Sequence, residues 1–266
     1  MDRSETSLAT VLLVSRLAAD GLDALKTSEY RKVCDAFGDP AGLLGQSATD
    51  LVSRGFDTEM AERLVRLLDR ALAVAFELDR YQESGIGTVT EHDSCYPSRL
   101  RDRLGSKAPV LLHVSGSLEL LSMAGVGVVG SRDVTEEGAI VAQEVAERAA
   151  ALGKPLVSGG ARGVDQIAMN AAYQVEGSVI GVLADSLVKT IDRPEVRQAI
   201  GNGSTVLCTP YGPEAGFSVG NAMGRNKLIY GLSQLTLVVA SDHDSGGTWA
   251  GATEALKHGF GQVVVW

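Results

Sequence analysis

Apolar residues in the first third of the chain recur at helical spacing. The clearest stretch follows Asp57, a favourable N-cap residue, and its apolar positions are Leu64, Leu67, Leu68, Ala71, Leu72, Ala75 and Leu78. Intervals of three and four residues place such side chains on one face of an α-helix. We therefore expect one long amphipathic helix from residue 58 to about residue 82, preceded by shorter helices.

Residues 43–65 pair a short helix with a glycine turn at Gly55 and then a longer helix. This layout is found in helix-hairpin-helix and SAM-like modules, which often contact nucleic acid or protein. A helical domain that serves only for packing accounts for the same pattern. Both interpretations therefore stay open at this point.

The pattern changes at about Ile86, where short apolar runs bounded by glycine begin to alternate with helical segments. Such alternation is typical of βαβ units, and runs of Val, Leu and Ile indicate strands buried on both faces. The expected strands are 86–90, 110–114, 126–129, 155–158, 178–183, 205–208, 235–240 and 262–266. The expected helices between them are 134–152, 164–175, 194–200, 221–232 and 248–258.

The predicted fold is therefore α/β: a Rossmann-like, doubly wound and mostly parallel sheet with a small N-terminal all-helical domain. We place the helical domain at residues 1–84 and the Rossmann-like domain at residues 85–266, because only five of the 31 glycines precede residue 84. Ligands of doubly wound sheets bind at the carboxyl ends of the strands. The loops that follow strands are therefore the candidate site.

The first two candidate loops are rich in glycine and each carries an arginine. VGVVGSRDVTEEG, residues 126–138, runs from a strand through Gly130, Ser131 and Arg132 to a helix that begins near Thr135. SGGARGVDQIA, residues 158–168, contains Gly159, Gly160, Arg162 and Gly163. Free N–H groups at a helix start bind anions, and arginine suits phosphate. Asp165 either complements the dipole of its helix or helps to bind a ligand.

The other two candidate segments lie near the C-terminus. VGNAMGRNKLIYGLS, residues 219–233, places cations and an amide on a turn expected just before a helix: Gly224, Arg225, Asn226 and Lys227. SDHDSGGTWAGATEAL, residues 241–256, begins another anion-binding helix at Ser245, Gly246, Gly247 and Thr248. Trp249 and Tyr230 either stack on bases or pack in the interior.

Composition and charge narrow the classes of protein. The chain has 266 residues, of which 45% are hydrophobic and 21% charged, so it is neither disordered nor fibrous. A net charge of −9 argues against a broad surface that coats nucleic acid and leaves room for a local basic groove.

Cysteine spacing suggests neither a disulfide framework nor a zinc site, because Cys34, Cys95 and Cys208 lie far apart. His243 has no second histidine nearby, so we expect no metal site. We also expect no cofactor. The N-terminal apolar run is broken at Arg16, which predicts neither a signal peptide nor a membrane anchor. These features together predict a cytoplasmic protein.

At these segments the chain resembles the DNA-processing protein A (DprA/Smf) family, which belongs with the LOG nucleoside-phosphate hydrolases to a wider Rossmann-like group. EHDSCYPSRLRD and APVLLHVSGS are followed in family order by VVGSR, SGGARGVDQIA, GRNKLIYGLS and DSGGTWAGATEA, over residues 91–266. The chain departs from the family pattern in ADSLVKTIDRP, residues 184–194, which lacks the usual aspartate and tyrosine-proline pair. It also has Met169 in place of a histidine and Lys227 in place of an arginine.

The resemblance implies a non-enzymatic DNA-binding protein with no catalytic residue. It implies single-stranded DNA as partner, a homodimer, and the loading of a RecA-type recombinase in recombination and natural transformation. The residues implied in DNA and phosphate binding are Gly130, Ser131, Arg132, Gly159, Gly160, Arg162, Gly163, Gly224, Arg225, Asn226, Lys227, Ser245, Gly246, Gly247 and Thr248.

A second hypothesis is a nucleotide sensor or a nucleoside-phosphate hydrolase of the LOG type. The GGT sequence with Glu254 downstream resembles the nucleotide loop of those enzymes, and Asp165 or Glu254 would be the acid or base. Glu254 lies six residues beyond Thr248, so the geometry of those enzymes does not carry over. A protein-interaction scaffold is the third alternative.

Overall fold

The computed structural model describes residues 3–18 and 21–266, and the chain divides into two compact units. The first unit comprises Met1–Tyr96 and Pro109–Leu112, and the second comprises Pro97–Ala108 and His113–Trp266. A boundary between folding domains at residues 84 and 85 stays a prediction.

The first unit is mainly helical. Its helices are α1 (Glu5–Val14), α2 (Thr27–Phe37), α3 (Ala48–Ser53), α4 (Thr58–Leu68) and α5 (Ala71–Glu83), with a 3₁₀ turn at Pro40–Leu43 and a strand β1 (Gly87–Thr90). Gly55 has a φ of +99°, which favours glycine, and it joins α3 to α4. The short helix, glycine turn and longer helix expected from the sequence are thus present.

The single long helix expected over residues 58–82 is wrong, because the chain breaks between α4 and α5 at Asp69 and Arg70. Arg70 leaves helical geometry and turns inward, where its guanidinium donates hydrogen bonds to the carbonyl oxygens of Leu12 (2.6 Å) and Ser15 (2.7 Å). These carbonyls lie at the end of α1, where helices leave C=O groups without partners. Apolar spacing does not reveal such a tertiary contact. The expected N-cap is present, since Asp57 accepts from the N–H of Met60 at 2.7 Å.

The second unit alternates strands and helices. After α6 (Ser98–Leu104) its strands are β2 (Leu111–Gly116, begun in the first unit), β3 (Gly125–Val129), β4 (Leu156–Ser158), β5 (Val179–Val182), β6 (Thr205–Thr209), β7 (Ser233–Val238) and β8 (Gln262–Val265). Its later helices are α7 (Glu136–Ala151), α8 (Val164–Gln174), α9 (Leu187–Ile191), α10 (Pro194–Gly201), α11 (Val219–Leu232) and α12 (Gly246–His258). Two 3₁₀ turns lie at Gly105–Lys107 and Leu118–Ser122.

The strands of the second unit form a sheet in the order β2-β6-β5-β4-β3-β7-β8. β2 is antiparallel to β6, and every other neighbouring pair in this order is parallel. The α/β, Rossmann-like fold is thereby confirmed. The chain runs from β3 through β6 on one side and returns to place β7 and β8 on the other, so β3 and β7 flank a topological switch point. Such a point is where doubly wound sheets bind ligands.

The core lies between the sheet and its helices. β5 and β6 are buried along their whole length, as their apolar runs predict, whereas β8 at the edge is mostly exposed. α7 turns small residues inward, among them Ala142 and Ala146, and these pack with Val128 of β3 and Ala168 of α8. Small side chains let the two helices pack closely over β3 and β4. Among the described residues, no helix has the length and apolar character needed to cross a bilayer.

Candidate nucleic-acid interface

The loops after β3 and β7 meet at the carboxyl edge of the sheet. The N–H of Ser131 donates to the carbonyl of Ala240 at 2.9 Å, and the hydroxyl of Thr248 donates to the carbonyl of Gly130 at 2.9 Å. The first candidate segment is therefore fixed to the fourth. Both lie at the switch point between β3 and β7.

The loop after β4 packs against the loop after β3. The N–H of Val164 donates to the carbonyl of Ser131 at 3.3 Å. Gly163 has a φ of +88°, and a Cβ built there would lie 2.4 Å from the carbonyl oxygen of Ser131. A Cβ on Gly130 would lie 2.5 Å from a methyl group of Val164. These two glycines allow the loops to approach each other, a role distinct from the DNA and phosphate contacts that the resemblance implies for them.

Asp165 is buried beneath the same loop. Its carboxylate accepts a hydrogen bond from the N–H of Gly159 at 3.1 Å and lies 4.0 Å from the guanidinium of Arg225. Burial raises the pKa of Asp165, while Arg225 and nearby backbone N–H groups act in the opposite direction. Asp165 therefore holds the loop in place from below and does not line its outer surface.

Arg225 does not lie on a turn, and this expectation is corrected by the structure. α11 begins at Val219, capped by the hydroxyl of Ser218, so the motif from Gly224 to Lys227 is inside a helix. The Arg225 side chain is 3% exposed, and a Cβ on Gly159 would lie 1.3 Å from its Nη1. Gly159 therefore provides space for a buried guanidinium.

The guanidinium of Arg225 is incompletely satisfied. Within the described part of the chain, its Nε and Nη1 atoms have no hydrogen-bond partner. Burial lowers its pKa, and the carboxylates of Asp165 and Asp185 favour its charged form. The guanidinium therefore lies beneath the loop, where the two carboxylates offset its charge.

Three other cations are more accessible. Arg132 is exposed, and its guanidinium lies 5.2 Å from the centre of the Phe217 ring. Arg162 is exposed and forms an ion pair with Asp133 at 3.0 Å. Lys227 is half-buried, and burial lowers its pKa. Of these three cations, Arg132 is the one that is both exposed and packed against an aromatic ring.

The start of α12 is open to an anion. Its N-cap residue Ser245 makes no side-chain capping bond, and Gly246 has a φ of +78° with no atom within 4 Å of a Cβ position. The first N–H groups of a helix need a partner, and an anion can supply one. The amide of Asn226 donates to the carbonyl of Gly247 at 3.0 Å, which ties α11 to this helix start.

Glu254 lies two turns further along α12, and its carboxylate is 3.8 Å from the Nζ of Lys107.

Gly224 packs on Tyr211, whose hydroxyl donates to the carbonyl of Asn221 at 2.8 Å. Among the residues that the structure describes, no group of three or more His, Cys, Asp or Glu side chains could hold a metal ion.

Sequence reasoning missed two participants at this edge. Phe217 is 53% exposed beside Arg132, and Tyr211 supports α11. Both lie between β6 and α11, in a segment that also contains Gly212 and Gly216. The sequence feature that could have pointed to these two residues is a glycine-containing connection that follows a buried strand.

The chain is a Rossmann-like domain in which the loop after β3 meets the start of α12 at the switch point of the sheet. The family model of DNA recombination-mediator protein A matches residues 87–265, and the chain belongs to this family.

Curated relatives agree with this assignment. DNA processing protein DprA of Bacillus subtilis is 29% identical over 68% of this chain and 61% of its own length. DNA processing protein DprA of Streptococcus pneumoniae is 35% identical over 58% of this chain and 54% of its own. The chain thus spans between half and two thirds of the length of these relatives.

Two solved structures are similar. DNA processing protein A of Streptococcus pneumoniae shares the fold with a TM-score of 0.72 and 23% identity, over 100% of this chain and 87% of that one. DNA processing protein A of Helicobacter pylori, whose structure concerns its single-stranded DNA binding mode, has a TM-score of 0.55 and 25% identity. The matched region covers 68% of this chain and 80% of the Helicobacter pylori chain.

Proposed function

We propose that this chain binds single-stranded DNA through phosphate contacts at the carboxyl edge of its sheet and acts as a recombination mediator. One observation carries the proposal: the Thr248–Gly130 hydrogen bond brings the loop of exposed Arg132 to the uncapped start of α12. A fixed cation and free N–H groups together suit consecutive phosphates of a backbone.

The fifteen residues expected at the site divide into two groups on this proposal. Direct contacts to DNA come from the accessible set of Ser131, Arg132, Gly160, Arg162, Lys227, Ser245, Gly246 and Gly247. The loops are shaped from within by Gly130, Gly159, Gly163, Gly224, Arg225, Asn226 and Thr248.

A single strand suits the site better than a duplex. The net charge of −9 argues against a broad surface that coats a duplex. Phe217 provides an exposed ring beside Arg132, and a base that stacks on such a ring gains about 1–3 kcal/mol. Unpaired bases can reach that ring, whereas stacked and paired bases cannot.

Binding is favoured over hydrolysis with Asp165 as the general base by the surroundings of that carboxylate. Asp165 is buried and engaged with Gly159 and Arg225, and Glu254 lies beside Lys107. A general base needs access to the proton that it removes. The site therefore holds phosphate without offering Asp165 to a substrate.

The partners and setting follow from family membership as further parts of the proposal. We place the protein in the cytoplasm as a homodimer that hands single-stranded DNA to a RecA-type recombinase, including in natural transformation.

Replacing Arg132 with glutamine is expected to weaken binding of a labelled single-stranded oligonucleotide and to lower its salt dependence. One lost phosphate contact reduces the slope of log K against log salt by about 0.7 for a single strand. Fluorescence anisotropy at several salt concentrations measures both quantities, with a duplex and a nucleoside monophosphate as competitors.

Arg148→Gln is the matched control, since Arg148 is an exposed arginine in the last turn of α7. It should leave both affinity and slope unchanged. Equal effects of the two substitutions would show that Arg132 does not contact the bound DNA. Displacement of the strand by the monophosphate at similar concentration would favour a nucleotide sensor.

A further inference from the structure

A group of cations in the second unit extends beyond the candidate site. We define this basic cluster as Arg99, Arg103, Lys107 and Lys227. The first three recur at intervals of four residues along α6 and the 3₁₀ turn that follows it, and residues at this interval are neighbours on the same side of a helix. α6 carries three arginines and a single carboxylate, Asp102, whereas the whole chain has a net charge of −9. The cluster is therefore locally basic in an acidic protein.

α6 is fixed against α11. Leu100 and Leu104 of α6 are buried, and a Cβ built on Gly231 of α11 would lie 2.8 Å from a methyl group of Leu100. The guanidinium of Arg103 donates to the carbonyl oxygen of Tyr230 at 3.3 Å, near the end of α11. Carbonyl groups at the end of a helix need such partners. The basic side of α6 therefore has a defined position on the second unit.

The cations of the cluster act on one another as like charges. Burial and the neighbouring Arg99 lower the pKa of Arg103. Burial also lowers the pKa of Lys227, Glu254 opposes this shift, and Lys107 adds to it. Within the described part of the chain, Glu254 is the carboxylate in these interactions, and it also lies 3.8 Å from the Nζ of Lys107. An anion at the cluster would therefore relieve repulsion that this carboxylate offsets only in part.

The cluster continues the surface of the candidate site. Lys227 follows Asn226, whose amide donates at 3.0 Å to the carbonyl of Gly247 in the first turn of α12. Glu254, beside Lys107, lies seven residues beyond Gly247, which is about 10 Å along the helix. An extended strand covers such a distance within a few nucleotides. A strand with one phosphate at the start of α12 can therefore bring a later phosphate to the cluster.

We propose that the basic cluster is a second phosphate subsite, which binds the part of a single strand that extends beyond the start of α12. Arg99 and Lys107 supply cations in addition to those of the candidate site. Among the described residues, none accepts a hydrogen bond from the buried Nε of Arg99. Phosphate oxygens accept from arginine and lysine whatever the base sequence. The subsite rests on the proposed function, because the same strand occupies both places.

The test compares oligothymidylates of about 4 and about 16 nucleotides, which span the range of single-strand site sizes. Fluorescence anisotropy at several salt concentrations gives the affinity for each strand and the slope of log K against log salt. The double variant Arg99→Gln with Lys107→Gln should lower the slope for the long strand by about 1.4, since each lost contact contributes about 0.7. Its loss of affinity should be larger for the long strand than for the short one. Arg103 is left unchanged, so that α6 keeps its position.

Glu254→Gln should have the opposite effect, because it removes the carboxylate that offsets Lys107 and Lys227. Binding of the long strand should become about two- to fivefold tighter, the range expected for one partly exposed charge interaction. Arg148→Gln and Glu144→Gln are the matched controls for the loss of a cation and of a carboxylate, since both residues are exposed on α7. Neither control should change the dependence on strand length.

Equal losses of affinity for both strand lengths in the double variant would mean that the cluster acts only through total charge, and the subsite would be overturned. Unchanged binding of the long strand, while Arg132→Gln still weakens it, would also overturn the subsite and leave the proposed function intact. If that double variant instead lost binding of poly-glutamate, the cluster would belong to an acidic protein partner and not to DNA. Absence of binding of either strand to the wild-type protein would overturn both proposals.

Discussion

Gly163→Ala is expected to destabilise the second unit by about 3–5 kcal/mol and to weaken binding of single-stranded DNA at least tenfold. Two costs add at this position. The φ of +88° with a ψ of −132° lies in a region that is nearly exclusive to glycine. A Cβ would also lie 2.4 Å from the carbonyl of Ser131 and 2.6 Å from that of Arg132. The backbone that carries Arg132 must move to relieve this contact.

Urea unfolding followed by tryptophan fluorescence measures the first effect, because Trp249 and Trp266 both lie in the second unit. Gly153→Ala is the control, since Gly153 has a φ of +64° with no atom near a Cβ position. It should cost about 1 kcal/mol, from backbone conformation alone. If both variants lost the same stability, the close approach of the two loops would not contribute.

The second large effect is expected at the buried ion pair of Asp165 and Arg225. Asp165→Ala removes the counterion of a guanidinium that is only 3% exposed and leaves the N–H of Gly159 without its acceptor. Removing one partner of a buried pair costs about 3–5 kcal/mol. The backbone from Gly159 to Ala161 should also loosen, so affinity for single-stranded DNA should fall together with stability.

A double variant distinguishes the cost of an unpaired buried charge from the loss of the contact between Asp165 and Arg225. Asp165→Leu with Arg225→Met replaces the pair by apolar groups and should recover much of the stability, because no buried charge is left alone. DNA binding should stay weak, since the loop loses its anchor and the site loses a cation. Asp133→Ala removes the carboxylate of an exposed ion pair and should change stability little. Wild-type stability of Asp165→Ala would contradict the assigned role of the pair.

The sheet, and the meeting of the candidate loops at one of its edges, were predictable from the sequence for physical reasons. Buried parallel strands require continuous apolar runs, so β5 and β6 are visible as Val, Leu and Ile. Parallel strands also bring their carboxyl ends to one edge. The glycine-rich segments after β3 and β4 could therefore be assigned to one site before their contacts were known.

The roles of individual residues were less predictable, because they depend on contacts between distant parts of the chain. A Gly-Arg-Asn-Lys motif reads as a solvated turn, yet Ser218 caps α11 six residues before Gly224. Arg225 is buried because Asp165, 60 positions earlier, lies under the same loop. The break at Arg70 likewise depends on carbonyl groups of α1. Spacing within one segment carries no information on such partners.

The most direct test of the account locates the bound strand by photocrosslinking. A single-stranded oligonucleotide that carries 5-iododeoxyuridine is irradiated with the wild-type protein, and crosslinked residues are identified by mass spectrometry. We expect crosslinks at Phe217 and Trp249, the aromatic residues beside Arg132 and at the start of α12. Crosslinks confined to the first unit, for example at exposed Phe76 of α5, would contradict binding at the carboxyl edge of the sheet.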